Sequence, residues 1–315
     1  MRTSSSICSL LALTAVFAAG RALAFDASLA TQMTEMPVSE MSSPITAMPL
    51  MAPNSEPMPS VLDMPAMPES AAIGESTTAS EAFNMARNLY RRGDRREALT
   101  AFQFAANQGH IGAQWMMGRM YAKGDGVEPN DLKAFEFFRE VANSATADEL
   151  YDSPENRQNA AYISHALLQL GSYYREGIPG TYVKQDPELA ARLYVRAAYN
   201  YGDPNAQFNL AVMYIEGNGV AKDMKRALQL LNNAAKKDHA PSRALLGHMM
   251  FNGEGGIKRQ PEKGLDWLRR ARESAEASGE ADAQWIIDLH DKALATSPDA
   301  ERKSPPGFLQ KVFGN

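Results

Sequence analysis

Cysteine is almost absent from this chain: among its 315 residues, Cys8 is the only one. One thiol cannot form an internal disulfide, and if Cys8 is removed with a leader no thiolate chemistry remains. Packing of apolar side chains must therefore hold the fold together.

Basic residues are fewer than acidic ones, with 32 Lys and Arg against 37 Asp and Glu. The formal net charge is −5, and loss of Arg2 and Arg21 with a leader would make it more negative. We therefore expect neither nucleic acid nor an anionic membrane surface as the main partner.

Long apolar runs are missing except at the start, where residues 7–19 form one behind Arg2. Gly20 and Arg21 end this run before it reaches the roughly 20 residues of a membrane span, and Ala22-Leu23-Ala24 has the pattern of a cleavage site. We expect a signal peptide over residues 1–24, cleavage after Ala24, and a periplasmic product without membrane insertion.

Methionine and proline are concentrated in residues 31–80, with eight methionines from Met33 to Met67 and repeated Met-Pro pairs. Repeated proline prevents long helices, so residues 25–79 are predicted to be a disordered linker. A copper(I) site built from thioether sulfurs is the alternative.

A repeat follows, visible first in five apolar segments that align without gaps. They begin at Ala98, Ala134, Ala190, Ala227 and Gly264, so the steps are 36, 56, 37 and 37 residues. This period indicates helical hairpins over residues 80–297, with an insertion at about residues 143–162. We expect a protruding loop there and an early start of the next helix.

Each first helix of a hairpin carries a small residue and, six positions later, a glycine. Gly118 precedes Gly124 and Gly247 precedes Gly253, for example. The small residue allows close helix packing, and the later glycine ends the helix. A phosphate-binding loop is disfavoured because no strand precedes these glycines.

The face of the first helices opposite the core is predicted to be a concave binding surface, since such helices usually line the inner side of a solenoid. Its candidate residues are Met116, Arg119, Lys123, Gln169, Ser172, Glu176, Asn209, Val212, Glu216, Leu245, His248 and Asn252.

The last repeat-like segment, residues 281–297, resembles a first helix without its partner. It is predicted to cap the repeats with Trp285 and Leu289, and residues 298–315 are predicted to be a flexible tail. No hydrolase elbow, nucleotide loop or histidine metal motif occurs, so we expect no enzyme, no cofactor and no metal site. Histidines near helix ends, such as His110 and His239, are expected to cap or to be solvated.

The units resemble Sel1-like repeats, which are related to tetratricopeptide repeats. The resemblance lies in the Ala-Gln openings at Ala113 and Ala206, the Leu-Gly positions and the Gly-x-Gly-Val turns at Gly124 and Gly217. It implies an all-α fold, a right-handed α-solenoid of helical-hairpin repeats used for protein recognition.

Residues 105–138 and 165–213 further resemble the ExoR family of periplasmic negative regulators of exopolysaccharide production. The resemblance implies that the chain binds the periplasmic domain of a sensor histidine kinase and represses a two-component system controlling exopolysaccharide and motility genes. A general periplasmic scaffold for envelope or polysaccharide assembly enzymes is the alternative. The sequence leaves the oligomeric state open.

Overall fold

The computed structural model describes residues 76–144, 154–278 and 284–297, and all regular secondary structure in these ranges is α-helical. The helices are α1 Ala79–Arg92, α2 Arg95–Asn107, α3 Ile111–Lys123, α4 Asp131–Asn143, α5 Pro154–Glu176, α6 Pro187–Asn200, α7 Pro204–Glu216, α8 Met224–Ala235, α9 Ala240–Asn252, α10 Pro261–Ser278 and α11 Gln284–Thr296.

The helices belong to two compact units, which divide between Ala206 and Gln207 inside α7. In the N-terminal unit, α1 packs on α2, α3 on α4 and α5 on α6, and α2 and α4 also contact the first helix of the next hairpin. In the C-terminal unit, α9 packs on α10, while α8 contacts α9 and α10 contacts α11. The all-helical hairpin architecture predicted from the repeat period is confirmed.

Local polar contacts start the helices. Thr78 and Glu81 form a reciprocal capping box at α1, and the side chains of Asn130, Asp186 and Asp223 accept from backbone N–H groups at α4, α6 and α8. His110 and His239 cap α3 and α9, where each Nδ1 accepts from an N–H at 3.2 and 3.4 Å. The expectation that these two histidines serve as helix caps is confirmed.

Glycine ends several of the helices by adopting a left-handed conformation. Gly124 ends α3 with a φ of 70°, and Gly253 ends α9 with a φ of 78°. Both were predicted as turn glycines, because a residue with a β-carbon is strained at positive φ.

The core forms where the second helix of a hairpin approaches the small residue of the first. A β-carbon on Gly118 would lie 2.8 Å from the Phe138 ring, and one on Gly171 would lie 2.8 Å from Cδ1 of Tyr194. Phe138 and Tyr194 are 1% and 0% exposed. The predicted reason for these glycines, close packing of paired helices, is confirmed.

The insertion lengthens a helix. Helix α5 has 23 residues, whereas α3, α7 and α9 have 13 each, so the predicted early start of this helix is confirmed. The predicted protruding loop falls largely on residues 145–153, which lie outside the described residues.

Helix α11 closes the apolar cluster of the C-terminal unit. Trp285 and Leu289 pack against this cluster as predicted, and Ile286 and Ala293, which are 2% and 5% exposed, are part of it. No helix in the described part of the chain is long and apolar enough to cross a membrane. The predicted signal peptide, nearly all of the predicted linker and the predicted tail lie outside the described residues.

Candidate protein-interaction surface

Two neighbouring first helices of the N-terminal unit bring aromatic and basic side chains together. Trp115 and Arg119 lie one turn apart on α3, Tyr162 and His165 lie one turn apart on α5, and these helices contact each other. The Trp115 ring centre is 5.3 Å from that of Tyr162 and 5.8 Å from that of His165. We call these four residues the Trp115 patch.

Arg119 contributes a guanidinium group with no carboxylate partner. Its Cζ lies 5.3 Å from the Trp115 ring centre, and its Nη2 donates a hydrogen bond to the Tyr90 hydroxyl at 3.5 Å. Among the described residues, none places a carboxylate oxygen within 4.0 Å of this guanidinium. Arg119 therefore forms no ion pair with the described residues, although its charge still lowers the pKa of Asp125.

The nearby carboxylate of Asp125 is already held by other groups. The Tyr90 hydroxyl donates a hydrogen bond to Asp125, and Arg95 Nε donates another at 2.8 Å. The Tyr90 hydrogen bond, followed by Arg95, lowers the pKa of Asp125, and the same hydrogen bond raises the pKa of Tyr90. Arg95 also stacks 3.8 Å from the Tyr90 ring centre. This network holds Tyr90 beside Arg119, and the charge of Arg119 adds a smaller contribution to the lowered pKa of Asp125.

Trp115 adds a second unused donor. Its Nε1 is buried and has no hydrogen-bond partner among the described residues, although the whole side chain is only half-buried. An unpaired buried donor costs about 1–3 kcal/mol, and because Nε1 has no accessible surface a partner would contact the ring faces of Trp115 and not this donor. The patch therefore combines the Arg119 guanidinium with apolar ring faces, a chemistry that suits a protein segment with a carboxylate or carbonyl beside an apolar side chain.

The predicted binding residues of the N-terminal unit only partly coincide with this patch. Arg119 belongs to it, and Gln169 follows His165 by one turn of α5. Of the six, Lys123, Gln169 and Glu176 are exposed, and Met116, Arg119 and Ser172 are half-buried. Trp115, Tyr162 and His165 were not predicted. The i, i+4 spacing of Trp115 and Arg119 could have indicated Trp115 alone, because Tyr162 and His165 join it only through the contact of α3 with α5.

In the C-terminal unit, two of the six predicted residues are interior. Val212 and Leu245 are 6% and 3% exposed, so their assignment to an exposed face is wrong. Helix α7 is buried around its middle, since residues 210–215 are all buried, and α9 is packed by α8, α10 and α11. Asn209, Glu216 and His248 are half-buried, and Asn252 is exposed.

His248 and Asn252 engage a neighbouring acid. Asn252 Nδ2 donates to Glu254 Oε1 at 2.9 Å, and His248 Nε2 lies 3.6 Å from Glu254 Oε2. Burial lowers the pKa of His248, and its effect exceeds the opposing effect of Glu254. These contacts account for the two polar side chains within the protein itself.

Comparison with known proteins identifies the repeat and the proteins that this chain resembles. The Sel1 repeat matches residues 111–144, 164–201, 204–239 and 240–275. The exopolysaccharide production negative regulator of Rhizobium meliloti (strain 1021) is 31% identical over 233 residues, which cover 74% of this chain and 81% of the regulator. The chain belongs to the Sel1 repeat family that includes these regulators.

A second regulator and a solved structure are also similar to this Sel1 repeat protein. The regulator of the same description from Rhizobium leguminosarum bv. viciae is 31% identical over 240 residues, covering 76% of this chain and 84% of its own length. The crystal structure of a Sel1 repeat protein from Oxalobacter formigenes matches with a TM-score of 0.50 and 27% identity, covering 69% of this chain and 88% of that one.

The first matched repeat of this Sel1 protein is α3 with α4, and the hairpin of α1 and α2 precedes it. The Trp115 patch therefore combines Trp115 and Arg119 of the first matched unit with His165 of the second and with Tyr162, the last residue of the insertion. Sel1 repeats are a protein-interaction architecture. Within the described ranges, no cluster of three or more His, Cys, Asp or Glu side chains is placed to hold a metal ion.

Proposed function

We propose that this chain is an exported negative regulator that binds the extracytoplasmic domain of a sensor histidine kinase. By holding that domain in its inactive state, it represses a two-component system controlling exopolysaccharide and motility genes. Release of the regulator, or its loss, frees the kinase.

The observation that carries the negative regulatory role is the similarity to the two rhizobial proteins, both described as exopolysaccharide production negative regulators and covered over more than four fifths of their length. The Sel1 repeats support regulation through protein binding, because such repeats act by binding other proteins. The proposal goes beyond this similarity in two respects: it names a sensor kinase as the partner and the periplasm as the compartment.

The Trp115 patch is the proposed contact surface. Aromatic and arginine side chains contribute most to binding energy in protein interfaces, and no described carboxylate forms an ion pair with Arg119. A kinase segment that presents a carboxylate to Arg119 and an apolar side chain to Trp115 would fit it.

The regulatory role is tested in the source bacterium by deleting the gene. We expect more exopolysaccharide and altered transcripts of one two-component regulon, both restored by the wild-type gene. Unchanged transcripts together with changed envelope composition would favour a scaffold for assembly enzymes instead.

The contact surface is tested with two arginine variants matched in chemistry. Arg119→Gln removes the proposed contact, whereas Arg192→Gln changes an exposed arginine of α6 away from the patch. We expect Arg119→Gln to weaken binding to the purified kinase domain roughly tenfold or more, because a partner carboxylate would lose its charge-assisted hydrogen bonds. Arg192→Gln should bind as wild type, and circular dichroism should show equal helix content for all three proteins.

A further inference from the structure

An open groove, which we call the α10–α11 groove, lies along these two helices of the C-terminal unit. Its volume is about 610 Å³, and Leu265 and Leu294 are the apolar side chains that line it. Leu294 is 46% exposed near the end of α11, and of the other large apolar side chains in the described part of the chain only Tyr182 is exposed. The groove therefore leaves apolar surface of Leu294 uncovered.

The polar lining of the α10–α11 groove is acidic. It contains four carboxylates and two arginines, and the carboxylates are those of Glu262, Asp266, Glu273 and Glu276. All four belong to α10, where they follow one another at steps of four, seven and three residues. Such steps place side chains on one face of a helix. A row of negative charge therefore borders the apolar side chains of the groove.

The arginines of the groove do not offset this charge, because each already lies between two carboxylates. All four ion pairs have distances from 2.6 to 2.8 Å, and they join Arg269 to Asp266 and Glu273, and Arg272 to Glu276 and Asp291. Arg270, outside the groove, also contacts Asp266 at 3.0 Å. Five carboxylates thus meet three guanidinium groups, and Glu262 has no ion pair among the described residues. Negative charge is in excess.

The position of the groove between two helices suits a third helix. Helix α11 contacts α9 and α10, and its side at Leu294 stays open among the described residues. An amphipathic helix can lay its apolar face into such a groove, with its side chains between those of the two helices already there. Lysine or arginine beside its apolar residues would meet the carboxylates of α10.

The described surface of this chain offers no such helix to a second copy. Its exposed large apolar side chains are Leu294, within the groove itself, and Tyr182, which lies between α5 and α6. No described helix outside the groove therefore presents exposed large apolar side chains that could enter the groove of another molecule. A different protein is the better occupant.

We propose that the α10–α11 groove binds a basic amphipathic helix of a partner protein. Apolar side chains of that helix pack on Leu265 and Leu294, and its lysines or arginines lie beside the carboxylates of α10. The Trp115 patch offers a guanidinium to an acidic group, so the two surfaces select segments of opposite charge. The groove is independent of the proposed regulatory function.

Fluorescence anisotropy with a labelled synthetic peptide tests this selection on the purified chain. The probe is a peptide of about 15 residues with leucine at every third or fourth position and lysine beside each leucine, and the matched peptide has glutamate in place of every lysine. We expect the lysine peptide to bind at least about tenfold more tightly, and added salt to weaken its binding. Hydrogen–deuterium exchange should be slower in α10 and α11 when the lysine peptide is present.

One pair of variants tests the apolar contact. Leu294→Ser removes an apolar side chain from the groove, and Tyr182→Ser is its control at the other exposed apolar side chain. We expect Leu294→Ser to weaken binding of the lysine peptide at least about fivefold and Tyr182→Ser to change it less than about twofold. Because both side chains are exposed, circular dichroism should show the wild-type helix content in both variants.

A second pair separates the charge of the groove from the charge of the whole chain. Glu262→Gln with Glu273→Gln leaves two carboxylates and two arginines in the groove. Glu128→Gln with Glu188→Gln removes the same charge from exposed positions of the N-terminal unit. We expect the groove pair to weaken binding of the lysine peptide at least about fivefold and the distant pair to change it less than about twofold.

Three results would overturn the proposal: no binding of the lysine peptide by the wild-type chain, equal binding of the two peptides, or equal weakening in groove and control variants. Light scattering tests the remaining occupant. A wild-type dimer that Leu294→Ser dissociates would assign the groove to a second copy of this chain and would overturn the proposal as well.

Discussion

At the residue scale, the structure explains most clearly why small residues occur at particular positions of the first helices. The spacing of Gly118, Gly171 and Gly247 predicted close helix approach, and each lies where a β-carbon would meet the paired helix. Tyr121 and Tyr214, three positions after the small residues of α3 and α7, are both 8% exposed, whereas Tyr174 at the same position of α5 is half-buried. The role of a residue that contacts only the paired helix of its own hairpin can be predicted from the repeat pattern alone.

We predict that Gly171→Ala destabilises the chain by about 1–3 kcal/mol, although alanine favours a helix by about 1 kcal/mol. The added carbon would lie 2.8 Å from Cδ1 of Tyr194, a fully buried ring that cannot move freely. Urea unfolding measures the change. Gln169→Ala, at an exposed position of the same helix, should stay within about 0.5 kcal/mol. Equal midpoints for the two variants would show that the ring relaxes at little cost.

His248 leads to a prediction about pH. It is half-buried, faces Glu254, Asn252 and Lys292, and has a pKa below its ordinary value of 6.5, chiefly because of burial. The unfolded chain therefore binds a proton more readily, and stability falls as pH drops below about 6.5 toward the lowered pKa.

The variant His248→Gln should lose this part of the pH dependence. Urea unfolding at pH 7.5 and pH 5 would show a smaller difference between the two pH values for the variant than for the wild type. An identical difference would mean that other groups, such as carboxylates, account for the entire effect.

At the scale of helices, the sequence predicted where hairpins begin and end better than which faces are open. The period, the early start of α5 and the capping role of α11 follow from local spacing and are confirmed. The Trp115 patch was missed because it depends on α3 lying beside α5 across the insertion, a contact that no local pattern contains. Val212 and Leu245 were misassigned because the middle turns of α7 and α9 are buried on the face that the helical spacing predicted to be open.

The buried side chain that caps the start of α7 leads to a prediction about stability. Asp203 is 8% exposed, and its Oδ1 accepts from the N–H groups of Asn205 and Ala206 at 2.8 and 3.0 Å. Its Oδ2 accepts from the Ser164 hydroxyl of α5 at 3.0 Å. Asp203→Ala should cost about 2–3 kcal/mol, because it removes a cap and leaves a buried hydroxyl unpaired.

Asp223 provides the comparison for this cap. It accepts from the Arg226 N–H at 3.0 Å at the start of α8, but its side chain is 37% exposed, so water can replace it. Asp223→Ala should therefore cost only about 0.5–1 kcal/mol by urea unfolding. A cost at Asp203 no larger than at Asp223 would show that the contact with Ser164 adds nothing.

At the scale of the whole molecule, fold and family follow from the repeat and the relatives, whereas compartment depends on residues outside the described ranges. A regulator of a kinase sensor domain must reach the same side of the membrane as that domain. The proposed function therefore requires that residues 1–24 direct export, as their short apolar run after Arg2 and the Ala22-Leu23-Ala24 site predict.

We predict that residues 1–79 fused to alkaline phosphatase give an active enzyme in the source bacterium, because that enzyme forms its disulfides only in the oxidising periplasm. A fusion of residues 25–79 serves as the control and should remain inactive, since it lacks the apolar run while keeping the Met-Pro-rich segment. Mass spectrometry of the exported chain should find Phe25 at its N-terminus. Equal phosphatase activity in the two fusions, or an inactive longer fusion, would contradict export by residues 1–24 and would remove the kinase sensor domain as a reachable partner.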